Sequence, residues 1–162
     1  MHTQYNPSPV KQKEVTIFTD GSCLNNPGIG GYSAILKYPN HKQKIVLGAE
    51  LDTTSNRMEL TAIIEGIKAL PTGIYSISIV SDSQITVRGI NEWLSKWILQ
   101  DFKKTKNVDL WKEYLEVSKE HMVTAQWVKA HNGHPENELC DKLARAEAER
   151  LKVMVLKTSL CS

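Results

Sequence analysis

The chain has 162 residues, 41% apolar and 23% charged, with 20 Lys and Arg against 18 Asp and Glu for a net charge of +2. These values fit one ordinary domain with a real core, and they leave any basic footprint local rather than global. No apolar run approaches the roughly 20 residues needed to span a bilayer. Cys23, Cys140 and Cys161 are too few and too scattered for a disulfide framework. A reducing, cytoplasmic setting without a membrane partner is therefore expected.

In chain order, residues 1–13 are polar, contain Pro7 and Pro9, and lack the apolar region of a signal peptide, so they read as a flexible lead. Residues 14–20 are β-branched and aromatic and predict a first strand that stops at Asp20-Gly21. Residues 23–31 predict a turn region around Asn25-Asn26-Pro27-Gly28. Two more strands, 32–38 and 44–51, complete an antiparallel meander. Residues 56–70 predict a helix with Leu60, Ile63, Ile64, Ile67 and Leu70 as its apolar stripe, ended by Pro71 and Gly73. The dense apolar content of 76–81 fits a buried parallel strand, and it too delivers an acid, Asp82. Short helices at 83–89 and 92–99 and a lysine-rich loop at 102–107 follow. A helix at 108–122, a strand at 123–129, a loop at 131–134 and a helix from Pro135 to about residue 152 complete the order. The class is α/β: a five-stranded mixed sheet, three strands antiparallel and two parallel, flanked by helices. One domain is expected over 14–152. The tail 153–162 is open between a packed segment, a strand and a weak contact surface.

Four acids invite a chemical reading, and each has a plain alternative. Asp20 is equally a turn former, Asp82 a helix cap, Glu59 the partner of Asn56 in a capping box, and Asp141 a solvated first-turn acid. Together they are harder to dismiss. If strand ends and helix starts converge, each pair of carboxylates at about 4 Å repels by roughly 4 kcal/mol at an effective dielectric of about 20. Such a cluster calls for cations, and all-oxygen ligands select Mg²⁺, with Mn²⁺ as substitute. Two such ions about 4 Å apart suit in-line displacement at phosphorus. His131 sits in a loop beside Asn132-Gly133, and histidine titrates near neutrality, which suits proton transfer. His131, His134 and Cys140 lack a fourth ligand at zinc spacing. Residues 28–31 are glycine-rich but precede a strand and not a helix, so they are no nucleotide cradle. Trp111 and Trp127 read as core. Trp93 and Trp97, one turn apart beside Lys96, Lys103, Lys104 and Lys106, read either as a backbone-binding ridge or as a half-buried pair under a solvated lysine face.

Six segments recur in a recognisable order: Thr19-Asp20-Gly21-Ser22-Cys23, Asn26-Pro27-Gly28, Thr54-Ser55-Asn56-Arg57-Met58-Glu59-Leu60, Ser81-Asp82-Ser83-Gln84, Asn107-Val108-Asp109-Leu110-Trp111, and His134-Pro135-Glu136-Asn137-Glu138-Leu139-Cys140-Asp141. As an ordered set they resemble ribonuclease H of the bacterial type 1 class, over residues 14–149. The resemblance implies an endonuclease that hydrolyses the RNA strand of RNA–DNA hybrids with two metal ions, leaving 5′-phosphate and 3′-hydroxyl ends. It implies Asp20, Glu59, Asp82 and Asp141 as metal ligands and His131 as the mobile catalytic histidine. It further implies Asn26, Thr54, Ser55, Asn56, Gln84, Trp93 and Asn137 as substrate contacts, several in the minor groove, where only RNA offers 2′-hydroxyls. Departures from the family pattern are a shortened 97–107 stretch carrying Asp101, an acid at Asp52, Ser55 in place of asparagine, and Ala130 and Asn132 around His131. A silent hybrid-binding module is the rival from another class, but it has no reason to keep four mutually repelling acids. A different nuclease on the same scaffold is disfavoured by the ribose-reading set Asn26, Asn56 and Gln84. A monomer is expected.

Overall fold

The computed structural model describes residues 12–161, so most of the expected N-terminal lead lies outside the described residues. Five strands, β1 (Lys13–Cys23), β2 (Gly28–Lys37), β3 (Gln43–Thr53), β4 (Tyr75–Ser81) and β5 (Met122–Trp127), form one sheet in the order β3-β2-β1-β4-β5. β1 pairs antiparallel with β2 and parallel with β4; β2 pairs antiparallel with β3, and β5 parallel with β4. This is the predicted mixed sheet of three antiparallel and two parallel strands.

Successive side chains of a strand point to opposite faces, and β2 uses both. Ala34 abuts Gly66 of α1 (Ser55–Lys68), whereas Gly31 lies directly under the Ala144 carbonyl and Ala148 amide of α5 (Pro135–Leu160). The two helices thus cover opposite faces. On the α1 side Val15 and Ile17 of β1, Ile77 and Ile79 of β4, and Leu60, Ile63, Ile64 and Ile67 of α1 make one apolar core. Leu110, Trp111 and Tyr114 of α4 (Val108–Ser118) join it. On the α5 side Asn137, Cys140, Ala144 and Ala148 are buried at helical spacing.

Three expectations change. β1 does not stop at Asp20; it runs to Cys23 because Gly21, Ser22 and Cys23 keep their antiparallel pairing with Tyr32, Gly31 and Gly30. The predicted 23–31 turn shrinks accordingly to four residues between β1 and β2. Residues 84–99 hold no break: α2 (Gln84–Arg88), a π-helical turn at Gly89–Trp93 and α3 (Leu94–Leu99) follow one another directly. The tail is neither strand nor packed segment: α5 continues past residue 152 to Leu160, with 152–160 all exposed.

Candidate active site

The parallel ladder between β1 and β4 ends at Phe18↔Val80. Asp20 and Asp82 each stand two residues beyond that last pair, where the strands diverge and an open α/β sheet leaves a crevice. Asp20 lies past the end of the parallel pairing but within its own strand. Glu59 arrives from α1. The N-cap of that helix is Thr54, whose side chain accepts from the Arg57 amide at 3.2 Å, and not Asn56. The capping box that was the plain alternative for Asn56 and Glu59 is absent, because capping two residues earlier, at Thr54, leaves Glu59 free for another use. Gly21 makes the approach possible: a Cβ there would lie 2.3 Å from the Glu59 nitrogen and 2.5 Å from the Met58 carbonyl carbon.

Asp20, Glu59 and Asp82 each offer an oxygen, and the three oxygens lie within 4.8 Å of one another. Asp20 is 4% and Glu59 8% exposed, and the second oxygens Asp20 Oδ2 and Glu59 Oε2 are buried with no hydrogen-bond partner. Asp20 Oδ1 accepts from the Gly21 amide at 2.8 Å. Burial pushes the Asp20 carboxyl up to about 6, with Asp82 and Asp141 adding repulsion. Burial likewise drives Glu59 well above the usual carboxylate range, with the Asp20 charge next in importance. Asp82 is raised by burial and by Asp141, and His131 opposes the shift. Orphaned buried oxygens in an all-oxygen set fit a hard divalent cation.

Asp141 stands just outside this trio. It is half-buried on α5 and bound by both arms of Arg145, with Nε donating to Oδ1 at 3.1 Å and Nη2 to Oδ2. His131 is exposed, has φ of 54°, and shares an open cavity with Glu138, Asp141, Lys142 and Arg145. Cys140 takes no part: its thiol donates to the Phe18 carbonyl at 3.3 Å, and burial pushes it up to about 12.

Four of the expected substrate contacts converge. Asn26 Oδ1 accepts from the Ser55 amide at 3.2 Å, so the β1–β2 turn is tied to the α1 start carrying Thr54, Ser55 and Asn56. Gln84 is exposed at the first turn of α2, next to Asp82. Asn56 also lines a cavity with Trp97, Lys104, Lys106 and Asn107, joining that cluster to the lysine loop. Trp93 is half-buried with the Arg88 guanidinium 4.7 Å over its ring. Trp93, Trp97, Trp111 and Tyr114 form an unbroken chain of ring contacts at 5.8, 5.1 and 5.8 Å, so Trp97 belongs to the support and only Trp93 stands at its outer end. Asn137, expected as a substrate contact, is buried, and its side-chain oxygen has no hydrogen-bond partner. It is 3% exposed on the α5 face that carries Cys140 and Ala144.

Sequence reading missed two residues. Arg57 grips Asp109 in a two-pronged ion pair at 2.9 and 2.7 Å, tying α1 to α4, although both lie in quoted segments. Trp127, read as core, is 42% exposed, and its indole donates to the Asp82 carbonyl at 3.0 Å. Its place on the outermost strand, visible only in the sheet order, would have been the signal.

The family model for RNase H matches residues 12–149. The chain is 58% identical over 139 residues to "Ribonuclease H" of Campylobacter jejuni (strain 81-176), covering 86% of this chain and 94% of that one. It is 54% identical over 138 residues to "Ribonuclease HI" of Helicobacter pylori, covering 85% and 95%. Among solved structures, LC9-RNase H1, "a type 1 RNase H with the type 2 active-site motif", superposes with a TM-score of 0.80 at 28% identity, covering 88% of this chain and 75% of that one. The fold is also that of LC11-RNase H1, solved in complex with RNA/DNA hybrid, with a TM-score of 0.64 at 17% identity and coverage of 85% and 98%.

Proposed function

The chain belongs to the ribonuclease H family, and on that premise we propose how its own residues divide the work of cutting the RNA strand of an RNA–DNA hybrid. The enzyme is an endonuclease of that specificity, and it requires a divalent metal. Asp20, Glu59, Asp82 and Asp141 are the residues that would hold two Mg²⁺ ions, which Mn²⁺ could replace, with Asp20 between the others. The observation that carries this is the trio of oxygens within 4.8 Å of one another, two of its carboxylates having a buried, unpartnered oxygen. When bound, the ions supply the positive charge that makes water nucleophilic near neutral pH and offsets charge on the scissile phosphate.

The protein supplies position. Asp20 and Asp82 are set by the divergence of two central strands, and Glu59 by the close packing of α1 on Gly21. Asp141, paired with Arg145, would complete the set from α5. His131, exposed beside Asp141, carries a proton to or from the reacting phosphate ester. Asn26, Thr54, Ser55, Asn56 and Gln84 read the minor groove, where 2′-hydroxyls mark the RNA strand. Trp93 and Lys96, Lys103, Lys104 and Lys106 hold the DNA strand. The hydrolysis leaves 5′-phosphate and 3′-hydroxyl ends. Residues 14–152 form the catalytic unit and act as a monomer in the cytoplasm; three unpaired cysteines support a reducing compartment. Among the described residues no helix is long and apolar enough to cross a membrane.

The test compares labelled RNA–DNA hybrid, duplex DNA and duplex RNA as substrates, with Mg²⁺ and with chelator. Cleavage confined to the RNA strand of the hybrid and dependent on Mg²⁺ is expected. Cleavage of duplex DNA at a comparable rate would overturn the groove assignment, and metal-independent cleavage the carboxylate assignment.

A further inference from the structure

Trp127 is the last residue of β5, the outermost strand on its side of the sheet. An exposed tryptophan at a strand end contributes little core, so its polar contact is the more informative feature. That contact is the indole N–H donating to the Asp82 carbonyl at 3.0 Å. The ladder between β4 and β5 ends at Ser81↔Trp127, so Asp82 lies one residue beyond the last pair. Its neighbours are secured by other means. The Ser81 carbonyl accepts from the Val128 amide at 3.0 Å, the Ser81 hydroxyl accepts from the Ser83 amide at 3.1 Å, and the Ser83 hydroxyl accepts from the Thr86 amide at 3.4 Å. The peptide that carries the Asp82 side chain has the indole as the donor to its carbonyl. Without it, the turn from β4 into α2 is pinned on both flanks and loose at the residue between.

Metal-site oxygens hold their geometry through the groups behind them, and loss of such support weakens metal binding without removing a ligand. We propose that Trp127 is a positioning residue of the active site: its indole N–H fixes the Asp82 peptide and so holds the Asp82 carboxylate toward Asp20 and Glu59. The inference rests on the reading of Asp82 as a metal ligand. The indole acts through the main chain and touches neither metal nor substrate.

Trp127→Phe keeps an aromatic ring and deletes the donor. Calorimetric titration of the metal-free full chain with Mn²⁺ is expected to give about three- to tenfold weaker binding, the worth of one neutral hydrogen bond. The far-UV spectrum and the KM for hybrid at saturating metal stay as in wild type. Trp127→Leu, which also loses the ring, should repeat the Mn²⁺ defect and lower the thermal midpoint. Wild-type Mn²⁺ affinity in folded Trp127→Phe overturns the proposal. If the hybrid KM then rises, the indole is a substrate contact; if it does not, the ring only fills space. Asp82→Asn serves as the control: if it binds Mn²⁺ as wild type does, the ligand reading itself falls and the inference with it.

Discussion

The carboxylates stand on or just past two central strands and on the helices packed against them, whereas the lysines between 96 and 106 stand on a short helix and an irregular loop. Val15, Ile17, Ile77 and Ile79, just before Asp20 and Asp82, are at most 3% exposed. In the other region Asp101, Phe102, Lys104 and Asn107 all have positive φ, and no residue of α3 is buried. That segment is anchored by the ring chain Trp93–Trp97–Trp111 and by Phe102, which is buried in the core. The difference suits the role proposed for each region. Ligands for a cation must be held to a fraction of an ångström, and only packed elements do so. A phosphate backbone is held by charge and tolerates looser placement.

The sharpest way to break this comparison is at its rigid end. Asp20→Asn should lower hybrid cleavage by about three orders of magnitude, because several kcal/mol of metal-borne charge stabilisation is lost. Hybrid binding, measured by gel shift in chelator, should survive, since the grip lies elsewhere. Gly21→Ala attacks the same region through packing. The new Cβ would overlap the Glu59 backbone, forcing α1 from β1 at a cost of about 1–3 kcal/mol in denaturant unfolding, with cleavage reduced more than stability.

At the looser end Trp93→Ala should raise the KM for hybrid about tenfold with kcat unchanged, the scale of one lost aromatic contact to nucleic acid. Lys104→Gln should weaken binding about equally for all hybrid sequences and lower the slope of log affinity against log salt by about 1. A drop in kcat for either variant would mean the two regions are not separable.

The smallest effect is one of pH. The Asp20 carboxyl titrates at about 6 in the fold against an ordinary 3.8, so the fold favours its protonated form. In chelator this group stabilises the protein most below about pH 4, and that contribution is lost as pH rises through about 6. The thermal midpoint of Asp20→Asn should show a shallower decline across this range; an identical pH profile would show that the cluster is not crowded.

Much of this molecule was legible in its residues. The alternation and composition of the strands, the apolar stripe of α1 and the proline at the start of α5 are local signals, and they predicted element order and sheet type. The four acids were legible as an ordered set, although each alone had a plainer use. Boundaries were harder wherever pairing decided them: β1 passes Asp20 because β2 holds it there, and the helix cap moved to Thr54 because its side chain reaches the Arg57 amide. The burial of Asn137 was hidden because a polar residue between acids looks exposed until the helix face is known. Trp127 was misplaced because aromatic strand residues are usually buried, and only the strand order puts β5 at an edge.

By itself, then, the sequence determined the α/β class, the family and which side chains are chemically able to hold a cation, since these depend on residue types and local periodicity. Tertiary structure alone decided which of them meet. Asp20, Glu59 and Asp82 share one site because strand divergence and the missing Cβ of Gly21 bring them together. Asp141 lies outside that trio, paired with Arg145, and the Asp82 carbonyl accepts from an indole 45 residues away in the chain. Proximity between residues far apart in sequence is a property of packing, which no single stretch of residues encodes.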